Sequence, residues 1–312
     1  MLKRLIVLAM SCLLAISAAA CKPPEAPPVP PAEPVASAGE QVLSQAKALL
    51  SQNEEPEKMV ALIASGIKDV DQNGAEILVS GLEQLQESHL AEYTDLLLTE
   101  ENQQALAAAS GDINQAKVIG ALADKNLAAL LEKLQKSGYR FENIEGSWYP
   151  ILDYASYLGY TQYLSPELQD YITLMAMESD AVSMKDGAIV IGLDDLTQRL
   201  IATENYILKH AASPRIDRVK EMYAGYLWNY IGGANNTPIY DWDTLKIRPE
   251  LKSSYEKFSR ENPDLQTTRA VRDWLSVLRD ADFTFDENTM YQSLDNIYGE
   301  TLNALGIEAD YK

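Results

Sequence analysis

The chain has 312 residues, 46% of them hydrophobic and 23% charged, with 26 Lys+Arg against 46 Asp+Glu, two His and two Cys. That composition excludes a disulfide scaffold, a collagen and a wholly disordered chain, and the length is enough to bury a core without metal or disulfide staples. A net charge of −20 argues against nucleic acid as a partner, because an acidic surface cannot displace the counterions whose release drives phosphate binding.

Residues 1–20 place Lys3 and Arg4 ahead of an apolar run from Leu5 to Ala20, the layout of a secretory signal. The run is shorter than the ~20 apolar residues a membrane-spanning helix needs, and it stops at Cys21, Lys22 and a proline tract. Ser17-Ala18-Ala19-Ala20-Cys21 resembles the lipobox of bacterial lipoproteins, with Ala18 where Leu is commoner. The resemblance implies that Cys21 receives a diacylglycerol and a palmitate-like acyl chain and anchors the protein to a membrane of the bacterial cell envelope. Lys22 is not the Asp that marks inner-membrane retention, so the outer membrane is expected in a Gram-negative host and the cell surface otherwise. Cys12 lies inside the signal and would leave with it. Cys21 is then the remaining Cys, and neither an internal disulfide nor a thiolate zinc site can form. Residues 21–37 read as the lipidated Cys and a Pro-rich tether, whose fixed φ and missing amide donors favour an extended polyproline II spacer of about 50 Å.

From residue 38 the composition turns to Ala, Leu, Glu, Gln and Lys, and apolar positions take up helical spacing. Met59, Leu62, Ile63, Ile67 and Val70 share one face; Leu78, Leu82 and Leu85 mark the next helix, and Leu127, Leu130, Leu131 and Leu134 a later one. Breaks at Asn53–Pro56, Asp71–Gly74 and Ser110–Asp112 predict antiparallel neighbours, hence a helical bundle over 38–137. Beyond Gly138 lie all four Trp and every one of the 17 Tyr except Tyr93. Residues 138–312 therefore read as an aromatic-rich helical domain. Ser165-Pro166 and Ser213-Pro214 sign helix starts by a Ser cap before Pro, Asp194 caps a helix ending near His210, and Pro249 opens another. Tyr and Trp at helical spacing, such as Tyr223, Tyr226, Tyr230 and Trp274, read as core. The expected fold class is all-α, with at most a minor strand element near Ala188–Ile191.

Two stretches carry candidate chemistry. Asp69, Asp71 and Asn73, followed by Gly74, match the start of a calcium-binding loop, in which alternate oxygens converge on the ion. The twelfth position is Ser80 rather than Glu, and a plain turn between helices has the same composition. Calcium is thus the one cofactor the pattern suggests. The second stretch, Gly138 to Tyr154, sets Glu142, Glu145, Tyr149, Asp153 and Tyr154 around an expected irregular turn. Its Glu145-Gly146-x-x-Tyr149-Pro150-x-x-Asp153-Tyr154 block resembles one found in uncharacterised bacterial surface lipoproteins, and the likeness extends through Leu174–Asp180 and Asn235–Pro238. It brings no activity with it. Physically, these residues can line a groove for an envelope protein or glycan, or Glu145 and Asp153 can work as the paired carboxylates of an envelope hydrolase. No H-E-x-x-H, G-x-S-x-G, G-x-G-x-x-G or P-loop spacing occurs. A lipid-anchored binding or envelope-interaction module is the reading that results.

Overall fold

Ser37 opens the first helix by a reciprocal cap: its Oγ accepts from the Glu40 amide at 3.2 Å, and the Glu40 carboxylate accepts from the Ser37 amide at 2.7 Å. The computed structural model describes residues Ala36–Glu308, so Cys21, the signal and nearly all of the tether lie outside the described residues. Helices α1 (Ala38–Ser51), α2 (Pro56–Gly66) and α3 (Gln72–Leu97) follow the predicted breaks. Next come α4 (Glu100–Ala107), α5 (Ala116–Ala121) and α6 (Lys125–Lys136), the last capped by the Asp124 carboxylate. Strands β1 (Tyr139–Ile144) and β2 (Ser147–Leu152) then form an antiparallel hairpin, with a 3-10 stretch at Tyr154–Tyr163 after it.

The second half contains α7 (Pro166–Asp180), α8 (Leu193–Lys209), α9 (Ile216–Ile231), α10 (Pro249–Glu261), α11 (Gln266–Asp280) and α12 (Glu287–Ala304). Two minimal hairpins interrupt it, β3 (Met184–Lys185) with β4 (Ala188–Ile189) and β5 (Gly233–Ala234) with β6 (Thr237–Pro238). The fold is mostly α-helical, as expected, and the strand predicted near Ala188 is present as β4. Ser165 caps α7, and Pro166 and Pro249 stand at helix starts. Two predicted caps are corrected. Asp194 sits in the first turn of α8 behind the true cap, Gly192. Ser213 opens no helix, because its hydroxyl accepts from the Arg215 amide at 2.9 Å and donates to Glu167 at 2.5 Å, delaying α9 to Ile216.

Burial does not follow the compositional boundary at 137/138, since the described residues from Ser37 on form one compact unit. The larger core mixes Met59 and Leu82 from the first half with Tyr157, Ile172, Tyr223 and Trp274 from the second. A smaller core contains Tyr93, Leu97, Ile119, Leu131, Leu134 and Phe141. Helix α3 belongs to both, and half-buried Leu152 packs on each. The Tyr stripe of α9 is core as predicted, at ~1.5–3 kcal/mol of apolar burial per ring. Its hydroxyls stay satisfied: Tyr223 meets Thr267 Oγ1 and Tyr230 meets Ser254 Oγ, both at 2.8 Å, and Tyr226 donates to Glu178 at 2.6 Å. Fully buried Glu204 on α8 accepts from the Gln266 and Thr267 amides at 2.5 and 3.0 Å and from the Thr267 hydroxyl at 2.6 Å, capping α11 from a distance.

Candidate functional site

The Gly138–Tyr154 stretch is a regular hairpin, not an irregular turn. Tyr139 and Phe141 alternate inward, and the two-residue connection Glu145-Gly146 has φ of 52° and 81°, the left-handed pair that matches strand twist. A second such pair, Asp186-Gly187, joins β3 to β4 with φ of 51° and 70°. The tips of the three hairpins are tied together. The Glu145 amide donates to Asp186 Oδ1 at 2.9 Å, the Asn236 amide to the Gly187 carbonyl at 2.9 Å, and the Ile189 amide to Thr237 Oγ1 at 3.1 Å. Glu142 adds an ion pair with Lys185.

This geometry separates the predicted carboxylate pair. Glu145 is exposed at the hairpin tip, whereas Asp153 follows β2 at its base, where its amide donates to the Gly138 carbonyl at 3.0 Å. At ~3.3 Å per strand residue the two lie roughly 20 Å apart, beyond the ~5–10 Å that two-carboxylate glycoside cleavage needs. Asp153 is half-buried, and burial with the nearby Asp180 raises its pKa against the pull of Arg140. Tyr149, half-buried, stands opposite Glu142 in the strand register.

At the calcium-like loop, Asp71 Oδ1 accepts from the Gly74 amide at 2.8 Å and so caps α3, and Asp69 closes a 3-10 turn. Asn73 lies within α3, already past that cap. Among the described residues no group of three or more His, Cys, Asp or Glu is placed to hold a metal ion.

Of the predicted site residues, Tyr154 reaches a cavity. A cleft of about 650 Å³ opens between α3, the end of β2, α7 and the start of α9. Leu90, Leu152, Met175, Val182 and Pro214 give it an apolar lining, and Glu83, Glu87, Arg215 and Arg218 give it charges of both signs. Glu83 is held from three sides: Tyr154 and Tyr171 donate to its Oε1 at 2.6 and 3.2 Å, and Arg215 stands 3.6 Å from Oε2. Burial and the Glu83 charge push both tyrosine pKa values far up, so these hydroxyls stay protonated and donating. Arg215 also donates to Ser80 Oγ at 2.7 Å and lies over the Tyr171 ring, 5.1 Å from its centroid. Glu178, at the far wall, has both oxygens committed to Ser183, Arg199 and Tyr226.

Beside the cleft, Gln86 fixes α3 against the hairpin. Its side chain is fully buried, donates to the Ser137 and Gly138 carbonyls at 2.8 and 3.1 Å, and accepts from the Tyr157 hydroxyl. Gly138 has φ +80°, and a Cβ there would lie 2.3 Å from the Gln86 amide nitrogen, so this position demands glycine.

Glu87, Arg215 and Arg218 belong to no motif that the sequence singles out. One signal was present: Glu83 and Glu87 are like charges one helical turn apart, an arrangement that costs helix stability unless something outside the helix compensates. The arginines, some 130 residues away in the chain, give no local sign.

No protein-family model matches the chain, and no match is found among curated proteins or among solved structures.

Proposed function

We propose that this is a lipid-anchored binding protein of the bacterial cell envelope, tethered through Cys21 and presenting the α3–α7–α9 cleft to an envelope ligand. The cleft carries the reading: about 650 Å³ of concave, largely apolar space with a few convergent charged groups has the size and make-up of a small-ligand site. The lipobox-like Ser17–Cys21 supports the anchor, and the Pro-rich spacer gives the folded region reach from the membrane. Outer-membrane placement in a Gram-negative host follows from Lys22. Hydrolysis by Glu145 and Asp153 finds no support in their separation.

Two experiments test this. Palmitate labelling in a bacterial host is expected to mark the wild-type chain and not Cys21→Ser; equal labelling would overturn the anchor. Muramidase-released peptidoglycan fragments, titrated into protein with methyl-labelled methionines, are expected to shift the Met175 signal, assigned with Met175→Leu. Fragments that bind without moving Met175, or that do not bind, would overturn the cleft as the site.

A further inference from the structure

The charges at the mouth of the cleft differ from those beneath it. Glu83, Glu178 and Arg215 are committed to partners within the protein. Glu87 is exposed and forms no hydrogen bond or ion pair among the described residues, and only through-space forces act on it, repulsion from Glu83 and attraction from Arg218 and Arg215. Arg218 is 59% exposed, and its nearest acid is Glu221 at 3.4 Å, itself 48% exposed, an arrangement that water screens to little value. The mouth thus presents one open carboxylate on α3 and one loosely held guanidinium on α9, with Leu90, Leu152, Met175 and Val182 lining the space they share. The chain as a whole carries −20, so a nearly balanced cleft is a local departure from the surrounding field.

Resting on the cleft as the binding site, we infer that its ligand is a short peptide with free termini, its ammonium group at Glu87, its carboxylate at Arg218 and an apolar side chain on the cleft lining. Charges of opposite sign flanking an apolar surface match the two ends of such a ligand. A neutral glycan would leave both groups unpaired. A lone cation or anion would leave one unpaired and feel the other as repulsion. The fixed Glu83–Tyr154–Tyr171–Arg215 network beneath keeps the wall from rearranging as the termini engage.

The test uses Leu-Leu-Leu as probe, with its N-acetyl and C-amide forms, followed by calorimetry and by the Met175 methyl signal. Phosphocholine, a zwitterion without a peptide backbone, serves as competitor. The free tripeptide is expected to bind and to shift Met175, each blocked form to bind about tenfold more weakly, and phosphocholine to compete poorly. Glu87→Gln should erase the difference between free and N-acetylated peptide while keeping that between acid and amide. Arg218→Gln should do the reverse. Both substitutions are at exposed positions, and unchanged circular dichroism with cooperative urea unfolding at midpoints no lower than the wild type's establishes that the variants are folded. Free and blocked peptides binding alike would overturn the inference, as would absence of tripeptide binding at millimolar concentration or stronger binding of phosphocholine. Where peptidoglycan fragments still shift Met175, the cleft stands as a site and only its ligand class falls.

Discussion

Replacing Gln86 by Leu nearly conserves volume but removes a donor and an acceptor from the place where α3 meets the hairpin. The Gly138 carbonyl keeps a partner, since the Asp153 amide donates to it at 3.0 Å. The Ser137 carbonyl and the Tyr157 hydroxyl lose theirs, and both are buried. Two unsatisfied buried groups at ~1–3 kcal/mol each, less about 1 kcal/mol regained from the apolar side chain, predict a loss of about 3 kcal/mol. Equilibrium urea unfolding followed by tyrosine fluorescence and circular dichroism measures it. Adding Tyr157→Phe removes one of the orphaned groups, so the double variant should be more stable than the sum of the single losses by about 1–2 kcal/mol. A single-variant loss below about 1 kcal/mol, or strict additivity in the cycle, would refute the claim that Gln86 is the polar pin of this junction.

Gly138→Ala meets both a left-handed φ of +80° and a contact at 2.3 Å, whereas Gly146→Ala at φ +81° meets open space. The first should cost about 2–3 kcal/mol and the second about 1 kcal/mol, read from urea midpoints. Glu204→Ala strips the α11 amides of their buried acceptor and should cost about 3 kcal/mol, with hydrogen exchange rising first at Gln266 and Thr267. Although the Glu87 side chain is exposed, the partial desolvation it meets at the cleft wall, aided by the Glu83 charge, raises its pKa above 4.5 despite Arg218 and Arg215. The folded state therefore keeps this proton to higher pH than the unfolded chain, and ionisation costs stability as pH climbs from 4.5 through the folded pKa. Glu87→Gln should gain on the wild type across that window; urea midpoints that fall relative to the wild type as pH rises would contradict it.

Helical periodicity was legible where burial repeats locally: the faces at Met59–Ile63, Leu78–Leu85 and Leu127–Leu134 belong to helices, whereas the first was read too far, since Ile67 falls in a 3-10 turn and Val70 in extended backbone. The hairpin was missed because Glu-Gly is a less familiar left-handed pair than Asn-Gly, although the inward alternation of Tyr139 and Phe141 was available. Ser213-Pro214 misled because a distant acid, Glu167, captures the hydroxyl that would have capped the helix. At the site, Tyr154 was identified from its sequence block, but its meaning depends on Glu83, 71 positions earlier, and on Arg215, far later. Such long-range pairings leave no trace in local spacing. Composition likewise suggested a boundary at 137/138 that packing ignores, because Tyr enrichment reports which side chains fill a core and not where one core ends.

The two cores share a connectivity with a modular consequence. The chain leaves the larger core after Leu85, builds the smaller one between Tyr93 and Phe141, and rejoins the larger at Tyr154. Exit and re-entry meet at Gln86, whose backbone carbonyl accepts from the Tyr139 hydroxyl and whose side chain binds Ser137, Gly138 and Tyr157. The smaller core is thus an excursion with joined ends, which can lengthen, shorten or diverge at little loop-closure cost to the rest. The cleft is bounded on one side by this excursion, through Leu90, Ile151 and Leu152, and on the other by the fixed α7–α9 wall. Under the proposed function, substitutions within the excursion would alter the cleft lining while leaving the larger core as it is.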